Sequence, residues 1–122
     1  MVSREVPHEE AFKMALCAIN EAKDTIYIIG SAKKYLEALR EKAEERKKIY
    51  IATRLSREYE TLAHYPNVHI RALENEPWVK LLAIDDGNFI LLYNEHRAIV
   101  FSDAPLTFSE LKENYIKVFF KE

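Results

Sequence analysis

Apolar residues at Phe12, Ala15, Leu16, Ile19 and Ala22 recur at helical spacing, laying one apolar stripe along an α-helix. Pro7 suits the first helical position, and Glu9 and Glu10 complement the positive end of the dipole. The pattern predicts a helix over Pro7–Lys23. The period then changes. "TIYIIG", Thr25 to Gly30, is β-branched and aromatic with no polar face, as in a strand covered on both sides. Gly30 and Ser31 end it, with Ser31 placed to cap the next helix. Ala32, Leu36, Leu39 and Ala43 give that helix an apolar face. "KKIYIATR", Lys47 to Arg54, is a second two-sided strand, so a parallel βαβ unit with a right-handed crossover is expected.

Leu55 to Tyr65 suits a short helix, and "NVHIRAL", Asn67 to Leu73, alternates as a half-exposed strand does. After a loop at Glu74 to Pro77 come "WVKLLAID", "NFILLYN" and "RAIVFSD". The first two are joined at Asp86-Gly87, a tight-hairpin signal, and the last two at Asn94 to His96. Pro105 and the capping box Thr107-x-x-Glu110 predict a C-terminal helix. Leu111, Tyr115, Val118 and Phe119 line one side of it, with Ile116 and Phe120 off that stripe as a candidate subunit contact. The expected order is α-β-α-β-(α)-β-β-β-β-α, an α/β fold with a mixed sheet and flanking helices. Over 122 residues this implies one domain spanning 1–122.

Charge narrows the function. The net charge is −2, without the basic excess that drives sequence-independent nucleic-acid binding. Cys17 is the single cysteine, which excludes an internal disulfide and a cysteine metal site. No apolar run approaches the roughly 18 residues of a membrane span, and Met1 to Glu10 does not read as a signal peptide, so a cytoplasmic location without membrane contact is expected. Absent glutamine, two glycines and abundant Glu, Lys and Ile lean toward a thermophilic source. His8, His64, His69 and His96 form no metal-ligand spacing, and no metal or cofactor is expected.

One strand carries a pattern that its burial does not explain. Trp78-x-Lys80-x-x-x-x-Asp85 places an ammonium in an otherwise apolar run, which is costly unless it is paired or near the strand end. With histidine at Trp78 this would be the HxKxxxxD signature of the phospholipase D-like superfamily. The βαβ start "EAKDTIYIIGSAKKYLEALREKAEERKKIYIATR", the following hairpins and the ending "LKENYIKVFFKE" resemble a phospholipase D-like half-domain. Nearly the whole chain resembles the effector domain of TrmB-family archaeal transcription regulators. In active members of the superfamily the histidine attacks phosphorus and the lysine stabilises phosphoryl charge. Trp78 has no basic lone pair. The Gly-Ser pair and asparagine usual on the next strand are reduced to Asn94 in "LLYNEH". The resemblance therefore implies a degenerate motif at Trp78, Lys80 and Asp85 and no catalytic residue.

Ligands in open α/β sheets bind beyond the carboxyl ends of strands. Ser31, Thr53, Arg54 and Lys80 are the candidates there, for a sugar or a phosphate-bearing molecule. The bland alternatives are a cap for Ser31, a solvated Arg54, a packed stem for Lys80 and a turn former for Asp85. The expected function is a non-catalytic regulatory, ligand-binding or dimerisation module. It would work as a homodimer or with another TrmB-family regulator, and with no DNA-binding domain it would not contact DNA directly. A divergent homodimeric phosphodiesterase or nuclease and a purely structural oligomerisation domain are the alternatives.

Overall fold

A computed structural model describes residues 2–120. Its strands are β1 (Val2–Val6), β2 (Thr25–Ile29), β3 (Lys48–Thr53), β4 (Val68–Ala72), β5 (Lys80–Ile84), β6 (Phe89–Tyr93) and β7 (Ala98–Ser102). The α-helices are α1 (His8–Asn20), α2 (Leu36–Glu44), α3 (Glu60–Ala63), α4 (Pro105–Leu111) and α5 (Lys117–Phe119).

The strands form one sheet in the order β1-β7-β6-β5-β2-β3-β4. β2, β3 and β4 are mutually parallel, and every other neighbouring pair is antiparallel. The two-sided strands are two-sided because helices cover both faces. Ile26, Ile28, Ile49, Ile51, Leu82 and Leu91 meet Ala11, Ala15 and Ile19 of α1 and Leu39 and Ala43 of α2 on one face. Ile29, Ala52, Leu81, Ala83 and Ile90 meet Phe108 and Ile116 on the other.

Several expectations need correction. Strand β1 was not foreseen: only Val6 of it is buried, so it carries no apolar alternation, and pairing with β7 defines it. Helix α1 stops at Asn20, short of Lys23, and Pro7 is its cap in extended backbone. Ser31 does not cap α2, because a 3₁₀ turn at Lys33–Tyr35 intervenes; its Oγ instead accepts the Lys33 N–H at 3.4 Å. Thr107-x-x-Glu110 is not a capping box, because α4 already begins at Pro105 with Ala104 as cap.

The largest difference lies in the C-terminal helix. Between α4 and α5 the chain makes a π turn, Lys112–Ile116. A π turn inserts one residue into the helical repeat and so rotates everything after it relative to the α4 stripe. Ile116, expected off the stripe, is buried, while Val118, expected on it, is exposed. Phe120 packs on the Tyr27 and Tyr50 rings, so neither Ile116 nor Phe120 forms a free outer stripe.

Candidate functional site

Lys80 opens β5, and alternation puts it on the same side as Leu82 and Ile84, toward α1. The antiparallel register Ile29↔Leu81 brings the residue after Ile29 next to Lys80. That residue is Gly30, with φ at +119°, and a Cβ there would stand 2.7 Å from Lys80 Cγ. The lysine stem thus lies across a glycine that is small enough to admit it. This resolves the buried ammonium: the methylenes pack and the charge reaches the strand end.

Lys80 lines a cleft of about 300 Å³. One wall is His8, Ala11 and Phe12 of α1. A second is Ser31, Lys34 and Tyr35, between β2 and α2. The floor and rim are Leu91, Tyr93, Asn94, Glu95 and Ala98. Phe12 stacks on Tyr35 with centroids 5.5 Å apart, and Lys34 Nζ stands 5.3 Å over the Phe12 ring. Burial pushes the Tyr93 hydroxyl well above its ordinary range, with Tyr35, Glu76 and Tyr59 adding to the effect. Burial raises Tyr35 as well. Both phenols therefore stay protonated donors.

His8 Nε2 lies 2.7 Å from the Asn94 carbonyl oxygen. A carbonyl only accepts, so Nε2 carries the proton. Asn94 Oδ1 accepts the His96 and Arg97 N–H groups at 2.7 and 2.9 Å, which fixes the β6–β7 turn.

The other two motif residues lie outside the cleft. Asp85 sits in the left-handed region at φ +54°. Its carboxylate accepts the N–H groups of Asp24, Thr25 and Lys23 at 2.8, 3.0 and 3.2 Å, and Asn88 Nδ2 at 3.3 Å. It holds the entry into β2. Trp78 precedes β5, is 61% exposed, and its ring lies 6.2 Å from that of His96. Between Trp78 and Lys80, the Val79 carbonyl accepts the Tyr115 hydroxyl from the opposite face of the sheet.

The four ligand candidates divide. Ser31 and Lys80 share the cleft. Ser31 and Arg54 share a neighbouring hollow of about 460 Å³ with Lys33, Leu55 and Glu76. Thr53 is 1% exposed, 3.4 Å from the Tyr59 hydroxyl that accepts the Ala32 N–H, and it lines neither hollow. His8, Lys34, Tyr35 and Tyr93 were not foreseen in the cleft. Among the described residues no cluster of three His, Cys, Asp or Glu is placed to hold a metal, and no helix is long and apolar enough to cross a membrane.

In sequence the chain matches no protein-family model and no curated protein. In structure it is similar to NucT from Helicobacter pylori, at 18% identity and a TM-score of 0.70, over 95% of this chain and 92% of that one. It is also similar to TrmBL2, an archaeal chromatin protein with a novel mode of DNA binding, at 13% identity and a TM-score of 0.75, over 99% of this chain and 51% of that one. A third similarity is to the polyphosphate kinase from Porphyromonas gingivalis, at 11% identity and a TM-score of 0.64, over 99% of this chain and 26% of that one. The chain thus spans about half of TrmBL2 and about a quarter of the kinase. At these identities the likeness concerns architecture. The seven-stranded mixed sheet flanked by helices shares the architecture of NucT and of the matched half of TrmBL2, a phospholipase D-like fold.

Proposed function

We propose that this chain is a non-catalytic phospholipase D-like module that binds a small anion in the Lys80 cleft and acts as a regulatory or dimerisation partner. One observation carries this reading. Lys80 keeps its place in the cleft, while the position two residues earlier holds an exposed tryptophan outside it. An ammonium held by its stem can bind an anion, and indole cannot attack phosphorus. Exposed Trp78 and Val79 at the entrance to β5 support association of two copies there.

The test is calorimetric titration with inorganic phosphate, together with thermal unfolding. Binding that disappears in Lys80→Met supports the module. A ligand at about 100 times its Kd adds about 2.7 kcal/mol of stability, which a melting curve reads directly.

A second reading, a divergent phosphodiesterase, has one observation in its favour. His8 lines the same cleft as Lys80, and its Nδ1 is not hydrogen-bonded within the described residues. Turnover of bis-p-nitrophenyl phosphate that is lost in both His8→Asn and Lys80→Ala would establish that reading. Its absence in the wild-type chain leaves the binding module.

A further inference from the structure

The cleft combines charged and apolar walls. Ser31, Lys34 and Lys80 line it, and among the described residues neither lysine makes an ion pair. Ala11, Phe12 and Leu91 are its apolar walls, and Tyr93 stands beside Lys80 as its cross-strand partner. The single carboxylate on the lining is Glu95, on the β6–β7 turn, so two cations face one anion. Lys34 is further committed by position, held over the Phe12 ring, so that charge and apolar surface adjoin there.

A neutral sugar could use the Ser31, Tyr35 and Tyr93 hydroxyls but would leave both lysines without a counter-charge. Here the one amide on the lining, Asn94, spends its oxygen on the turn. A bare phosphate would engage the two lysines and leave the apolar walls against water. We propose that the cleft takes a small amphipathic anion, with a carboxylate or phosphate head at Lys80 and Lys34 and a short apolar chain or ring against Phe12 and Leu91. The proposal rests on reading the cleft as an anion site and adds the class of molecule attached to the anion. A volume of about 300 Å³ lies at the small end of ligand sites, so the apolar body is short.

Titration of the whole chain with acetate, butanoate, hexanoate and octanoate tests this, with the matching alkyl phosphates as the second arm. Affinity should rise about fourfold per methylene until the apolar walls are covered, and then level off. Whichever head group gives the tighter series identifies the head. Lys80→Met keeps the stem over Gly30 and should weaken every member of the series by tenfold or more. If inorganic phosphate binds in a Lys80-dependent way but chain length has no effect, the anion site stands and the amphipathic ligand is refuted. If no anion binds, both fall. Tighter binding of maltose than of octanoate also overturns the proposal.

Discussion

Gly30 and Lys80 form the smallest unit of the site, and neither residue works without the other. Gly30→Ala adds a Cβ 2.7 Å from Lys80 Cγ on backbone at φ +119°. It should cost roughly 1–3 kcal/mol in urea unfolding, the usual strain of a side chain in that region. Part of that cost is steric, so pairing it with Lys80→Ala should give less than the sum of the two losses. Asp85→Asn isolates the other motif residue, since asparagine tolerates φ +54° but turns an amide toward N–H donors. A loss of about 1.5–3 kcal/mol is expected, with ligand affinity per folded molecule unchanged. Asp85 is then a fastener of β2 and takes no part in chemistry. The tyrosines set a pH limit. Burial raises Tyr93 and Tyr35 above their ordinary 10.0, so the native state keeps protons that the unfolded chain gives up. That contribution is complete below about pH 10 and is lost as pH rises beyond it. Tyr93→Phe should flatten the alkaline limb of the stability curve.

At the scale of elements, the C-terminal helix shows where sequence periodicity stops being informative. A 3.6-residue template assigns Val118 inward and Ile116 outward, and the π turn reverses both. Ile116→Ala should therefore cost about 2–5 kcal/mol, and Val118→Ala should stay within about 0.5 kcal/mol. Chemical denaturation of the two variants decides the phase of the helix. The central strands were legible because isoleucine and leucine on both faces leave one placement for them. The motif was legible because five-residue spacing along one strand and its turn is local. Strand β1 was not legible, because "VSREV" is defined by a partner almost a hundred positions away. For the same reason no spacing in the sequence links His8 and Lys34 to Lys80. They meet through the order of the sheet.

At the scale of the molecule, the sheet of the described residues has β1 and β4 as its edge strands. Edges invite further strands unless something repels them. On β1 that role falls to charge: Arg4 pairs with Glu10 at 3.4 Å, and Glu5 accepts Arg97 at 2.8 Å. The Arg97 guanidinium holds the Glu5 carboxyl below its ordinary range, so Glu5 stays charged into mildly acidic solution. Replacing Arg4 and Glu5 together by valine should produce concentration-dependent assembly in light scattering, with secondary structure unchanged by circular dichroism.

The Tyr115 hydroxyl reaches the Val79 carbonyl from behind the sheet. The backbone one residue before Lys80 is thus tied to the C-terminal helical segment on the far side of the sheet, by a residue that does not line the cleft. Tyr115→Phe cuts the mooring and leaves the ring in place. Anion affinity should drop severalfold in titration, while the unfolding midpoint moves little. Such a drop would show that the far side of the sheet helps to set the position of Lys80.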